Sequence, residues 1–253
     1  MKDTESTEKK IPNIKDLISP ETLQKAMDWC WNAALHGIPG EKTCKQLADE
    51  YLSKQHSGNE LNDRRKAASK FTKWQIAKCT TTGFLSGLPG GAAIIATIPA
   101  DLTMSLYIQL RMIATVAVIG GYDVSEDIVK SMAYCCLGGL SITKALKEVG
   151  IRVGEKMALA GLKKVPGKVL IAINKKVGFR LVTKFGTKGV VNLGKLVPVL
   201  GGVIGGGFNL AETTAIAKLA QIQFIENIFS DEDRNIIAEE ATADEIIAEG
   251  EST

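Results

Sequence analysis

The sequence predicts an all-α fold, a compact multi-helix bundle with glycine-rich apolar central helices. Three observations predict it. Apolar residues make up 45% of the chain but aromatics only 6%. The apolar mass is therefore Ala, Val, Ile, Leu and Gly, which suits close helix packing better than a β-sandwich. No segment alternates apolar and polar residues long enough to argue for a sheet. Helix start and stop signals, by contrast, recur along the whole chain. At 253 residues the chain can bury a sizeable core.

Residues 1–18 are mixed in charge and lack an apolar signal core, so they are expected to be a flexible segment and not a leader. A single helical domain is expected over 19–229, followed by an acidic tail over 230–253. Ser19-Pro20-Glu21 starts the first helix with an N-cap, a proline in the first turn and an acid beside it. That helix should end near Gly37. A second, polar helix is expected from about Glu41 to Gln55, and a third from Glu60 into the uncharged stretch that follows. Pro99 opens a helix over roughly 100–119, which Gly120-Gly121 ends. Ser125-Glu126-Asp127 caps the next. The basic middle should be helices broken near Gly150, Pro166 and Gly178. A second glycine-rich stretch, Leu196 to Ala211, leads into a helix to about Phe229. Ser230 is an N-cap from which the tail could continue as a short acidic amphipathic helix.

The most informative segment is Cys79 to Ala100, 22 residues without a charge. Its length matches the roughly 17–25 residues of a membrane-spanning helix. Pro89 and Gly90-Gly91 interrupt its middle, and broken backbone at membrane depth needs shielding by protein or water. A simple span is thereby disfavoured, whereas a buried hairpin or a conditional membrane hairpin is not. Gly83, Gly87 and Gly91 are spaced by four, as are Gly201 with Gly205 and Gly202 with Gly206. On a helix such spacing makes a smooth strip for a close neighbour, in lipid or in a tight soluble core. Each glycine costs about 0.5–1 kcal/mol against alanine inside a helix, so close packing or real breaks must compensate.

Polar residues dot the helices beside these stretches. Asp101, Ser105 and Gln109 share one face, and Arg111 lies roughly 80° from Asp101 around the helix. Asn209, Glu212 and Thr213 share a face of the later helix. A charge on an apolar helix is costly unless paired. The expectation is a buried network in which Asp101 or Glu212 faces Arg111, with an ion or lipid-headgroup site as the alternative. Asp101 can also cap its own helix.

The net charge of +3 hides a segregation. Lys144 to Lys195 carries thirteen Lys or Arg against Glu148 and Glu155 alone, whereas Ser230 to Thr253 carries nine acids against Arg234. The middle therefore seeks an anionic partner. Lys176, Arg180, Lys184 and Lys188, preceded by Lys163, Lys164, Lys168 and Lys175, form a basic stripe. Val177, Phe179, Leu181, Val182 and Phe185 would supply an apolar face. A basic amphipathic helix suits an anionic membrane surface. A solvated face, partly neutralised by the tail, is the alternative. No tyrosine or tryptophan interleaves the stripe, which argues against nucleic acid.

Catalytic patterns are wanting. Gly189 to Lys195 matches GxxxxGK, but Leu196 replaces the Ser or Thr that would bind magnesium, and no strand precedes it. Gly83 to Gly87 is no nucleophile elbow, and His36 and His56 are the only histidines. The cysteines (Cys30, Cys44, Cys79, Cys135, Cys136) are odd in number and irregular in spacing, so they fit reduced cytosolic thiols and not disulfides or zinc. No cofactor, metal or enzymatic activity is expected.

The run Gly87-Leu88-Pro89-Gly90-Gly91, Pro99-Ala100-Asp101-Leu102, Tyr107 with Gln109, and Gly121-Tyr122-Asp123 resembles the EcsC family of bacterial proteins. A second patch follows in the same order: Pro198, Gly201-Gly202, Gly205 to Gly207, Asn209 and Thr213. The resemblance spans about 61–229, leaving out the N-terminal helices and the tail. It implies a helical fold without assigned catalysis, and work near the inner membrane, since the family takes its name from an operon with an ABC transporter. The expected function is non-enzymatic docking on the cytosolic face of the inner membrane or on a membrane protein there. A membrane-inserting effector of a bacterial conflict or phage-defence system, a soluble scaffold and, more distantly, a hydrolase or lipid-modifying enzyme are the alternatives.

Overall fold

The computed structural model describes residues 19–80, 100–152, 159–193 and 201–229, with side chains at all of them except 78–80, 100–101, 184–193 and 201–212. The expected hairpin around Gly83, Gly87, Gly90 and Gly91, the N-terminal segment and the acidic tail lie outside these residues. Among the described residues there are helices and no strand, as the composition and periodicity predict.

Helix α1 (Pro20–His36) begins where its signals place it. Ser19 accepts from the Thr22 amide at 3.1 Å, and Gly37 closes the helix at φ 83°. The second helix is shorter than expected. Thr43 and Gln46 form a reciprocal capping box, at 2.9 and 3.1 Å, that starts α2 at Cys44 and runs it to Leu52. Glu41 and Lys42 are thereby left outside the helix, which matters below. Helix α3 (Glu60–Thr80) and α4 (Ala100–Ile119) follow.

Helix α4 is the axis of the fold. The window Leu102–Ile119 has a mean hydropathy of 1.6 and the length of a bilayer span, yet 78% of it is buried by protein. Helices α1, α2 and α3 pack around it, joined by two that follow later in the chain, α5 (Asp127–Leu137) and α9 (Gly201–Phe224). Its side chains Leu106, Leu110, Ile113, Val116 and Ala117 are fully enclosed. An all-round apolar helix in water has to be surrounded in this way.

The end of α4 fits its sequence. Gly121, at φ 86°, lets Tyr122 N–H reach Ala117 O at 3.0 Å while its own N–H reaches Val118 O at 2.9 Å, a closure in which a left-handed residue satisfies the last carbonyls. Gly120 serves a different purpose. A Cβ there would run into the carbonyl group of Phe224, 2.9 Å from its carbon, so this glycine admits the end of α9.

Four expectations need correction. Helix α5 does have Glu126 at its N-cap, but that side chain makes no capping bond. Asp123 instead accepts from the Ser125 amide and hydroxyl, at 2.9 and 2.6 Å, and shapes the turn before it. After α6 (Ile142–Glu148) and the short α7 (Leu159–Leu162), helix α8 runs unbroken from Gly167 to Leu193, so Gly178 does not divide it. Gly178 is buried where α8 passes the first turn of α1, with Pro20 O and Gln24 Oε1 at ordinary contact distance of a Cβ built there. Gly178 is thus an ordinary buried helical position with room for a methyl group, and not a break. The second glycine stretch does not merely lead into a helix: Gly201, Gly202, Gly205 and Gly206 are all within α9. That helix stops at Phe224, where Asn227, at φ 57°, accepts from the buried Tyr122 hydroxyl.

Replacing Gly120 by alanine should cost about 1–3 kcal/mol in urea unfolding, because backbone and not a flexible side chain must move. Gly167→Ala, with nothing within 4 Å of the new methyl, should stay within about 0.5 kcal/mol of the parent.

Candidate docking face

Helix α8 begins directly after Pro166, whose carbonyl receives the Val169 and Leu170 amides at 2.9 and 3.2 Å. Leu170, Ile173, Val177 and Leu181 recur every three or four residues and are buried against α1 and α5. Val177 sits over Gly138, where a Cβ would come within 3.1 Å of it. The opposite side carries Lys168, Ile171, Ala172, Lys175, Lys176, Phe179, Arg180 and Thr183, all exposed. At 100° per residue these eight fall within about half of the helix circumference.

This arrangement departs from the expected amphipathic helix. Val177 and Leu181 are spent on the core and cannot face a partner. Phe179 belongs with the lysines, 63% exposed, and Ile171 is its counterpart at 69%. They are the two most exposed large apolar side chains among the described residues, about 12 Å apart along the axis. Ile171 was missed because a lone isoleucine in an apolar run looks like core. Only the register of α8 against α1 and α5 turns it outward.

The cations are not equivalent. Lys163 pairs with Glu126 at 2.8 Å, and Lys176 with Glu148 at 3.2 Å while donating to the Glu148 carbonyl at 2.9 Å. Lys164, Lys168, Lys175 and Arg180 make no ion pair with a described residue, though Lys175 lies near enough to Glu21 to help hold its carboxyl low, behind the Glu21 amide and Ser19. Lys184 and Lys188 continue α8 beyond the residues whose side chains are described. The α8 face is thus three cations without a described ion-pair partner, Lys168, Lys175 and Arg180, with the paired Lys176, around two apolar projections.

The polar residues of α4 are positioned differently. Gln109 Nε2 reaches Thr213 Oγ1 at 3.5 Å, joining α4 to α9 through a long hydrogen bond. Asp101, Asn209 and Glu212 lie in these helices without described side chains. Arg111, 2% exposed, finds its partner elsewhere: Nη1 is 2.8 Å from Glu41 Oε2, and Nη2 donates to Lys42 O at 2.8 Å. Both come from the segment that the Thr43 capping box keeps out of α2. The guanidinium also stands 5.9 Å from the Tyr107 ring centroid. The Tyr107 hydroxyl is buried without a hydrogen-bond partner, and burial pushes its pKa up. This cluster clamps the α1–α2 connection onto the central helix. It contacts no described carboxylate other than Glu41 and has the character of a structural ion pair.

Other elements are tied in the same way. Tyr134 donates to Asp28 at 2.8 Å, and Lys130 pairs with Asp28 at 2.6 Å, joining α5 to α1. Gln221 donates to Thr72 at 3.2 Å and Gln223 to Met132 O at 3.0 Å, fixing α9 to α3 and α5. The thiols of Cys30 and Cys44 are buried and pushed up to about 12 and about 11 by desolvation, so neither is a ready nucleophile. Among the described residues no three of His, Cys, Asp and Glu cluster as metal ligands.

Comparison with known protein families matches the EcsC protein family over residues 1–225. The chain belongs to the EcsC protein family. The match takes in α1 and α2, which the resemblance read from the glycine patches left out, and it stops short of the acidic tail. Neither the curated proteins nor the solved structures contain a match.

Glu41→Gln should destabilise the EcsC protein by about 1–3 kcal/mol, since it strands a buried guanidinium while leaving Glu41's own half-exposed site intact. Adding Arg111→Met removes the stranded charge, and the double variant should unfold at higher urea than Glu41→Gln alone. Equal stability of all three proteins would show that the pair is idle.

Proposed function

We propose that this EcsC protein is a non-enzymatic peripheral membrane protein whose α8 face docks on the anionic cytosolic surface of the inner membrane. The observation that carries this reading is the exposure of Ile171 and Phe179 among uncommitted cations. A solvated basic face has no need of a phenylalanine at its centre. A membrane surface does: each Lys or Arg gains about 1 kcal/mol at an anionic leaflet, and a fully buried Phe or Ile side chain gains about 1.5–3 kcal/mol. Docking of this kind leaves the core intact, because the apolar side of α8 stays packed on α1 and α5.

Sedimentation with vesicles of phosphatidylcholine alone or mixed with phosphatidylglycerol tests the reading. Binding should require the anionic lipid and weaken as salt rises from 50 to about 500 mM. Neutralising Lys168, Lys175 and Arg180 to Gln should weaken it about a hundredfold, and Phe179→Ser should weaken it without changing its salt dependence. No binding to anionic vesicles at low salt would overturn the proposal. Binding that resists both high salt and carbonate would favour insertion instead.

A further inference from the structure

We propose that the acidic tail, residues 230–253, occupies the α8 face when no membrane does, so that the chain carries its own competitor for the docking site. The regulatory consequence rests on the membrane reading above; the tail contact itself does not.

Charge complementarity is the first argument. Nine acids against one arginine follow Phe229, and α8 presents Lys168, Lys175 and Arg180 without a carboxylate in ion-pair range among the described residues. The second argument is chemical match beyond charge. The tail is not uniformly acidic: Ile236-Ile237 and Ile246-Ile247 interrupt it, each flanked by acids within three residues. Two apolar pairs in an acidic segment face two apolar projections, Ile171 and Phe179, in a basic one. A merely solvating tail would not need those isoleucines.

The third argument is the tether. The Phe229 carbonyl accepts from Thr143 Oγ1 at 2.7 Å, which fastens the start of the tail to α6. Five residues further along α6, about 7.5 Å of helix rise, Glu148 pairs with Lys176 of α8. The last described residue, Phe229, is therefore held by the same helix that reaches α8 at Lys176. The tail's 24 residues reach at most about 80 Å when extended, twice the roughly 40 Å length of α8. A segment tethered this close acts at an effective concentration near millimolar, so weak contacts suffice. The residues that match the EcsC family end at 225, so the docking face belongs to the shared part of the chain and the competitor to the part beyond it.

Zero-length carbodiimide coupling of the full chain, in low salt and without vesicles, reads the contact directly. The Lys163–Glu126 pair, at 2.8 Å, is the internal control for coupling. Links from Glu239, Glu240, Asp244 or Glu245 to Lys168, Lys175 or Lys176 are expected in the monomer. They should persist on dilution and vanish at about 500 mM salt. Detection of the control link without any tail-to-α8 link overturns the proposal. A full-length variant with Glu239→Gln, Glu240→Gln, Asp244→Asn and Glu245→Gln should then bind anionic vesicles about tenfold more tightly than the parent, as it would if the tail covers the face nine-tenths of the time. Tail links with no vesicle binding by either protein would support the tail contact and overturn the membrane reading. Equal vesicle binding by the two proteins would overturn the competition.

Discussion

The structure depends on the enclosure of α4 by its neighbouring helices. A helix with the length and hydropathy of a bilayer span is enclosed by protein only if its neighbours give up their apolar faces to cover it. Helices α1, α2, α3, α5 and α9 do so directly. Helix α8 packs outside two of these, spending Leu170, Ile173, Val177 and Leu181 on α1 and α5. What α8 can offer a partner is therefore what the core does not consume. On α8 that remainder is lysine and arginine with Ile171 and Phe179.

The same constraint explains the handling of polar groups. Arg111 on an enclosed helix needs a counter-charge from outside the helix, and Glu41 supplies it because Thr43 and Gln46 hold that stretch in a non-helical conformation. Breaking a buried ion pair is far costlier than never having one, so the capping box, the loop and the arginine act as one unit. Glutamines on α9 serve a comparable purpose by satisfying backbone and hydroxyl groups of α3 and α5.

Much of this was legible in the sequence, and the misses have physical causes. The helix start at Ser19 falls where the residues place it, as do the ends at Gly37 and Gly120-Gly121, because caps are local chemistry. Thr43 was overlooked as a cap, so α2 began three residues too early, and the freedom of Glu41 to reach Arg111 went unseen. Gly178 reads as a break in the sequence because its low helix propensity is local, whereas the packing of α8 on α1 and α5 that carries the helix through it is tertiary. The exposed basic side of α8 was legible in its lysines and in Phe179, but Ile171, and the burial of Val177 and Leu181, were not. Ile171 is set outward, and Val177 and Leu181 inward, by the register of α8 on two distant helices, a tertiary fact that periodicity within α8 alone does not contain.

The central claim is that the protein meets a membrane with the exposed side of α8 and keeps α4 enclosed. Hydrogen exchange of the intact chain with and without anionic vesicles tests this most directly, because amide protection reports local opening element by element. The account predicts that vesicles slow exchange around 168–180 and leave 106–117 of α4 as protected as in free protein. Faster exchange across α4 on vesicle binding would contradict it, since the central helix would then be leaving the bundle.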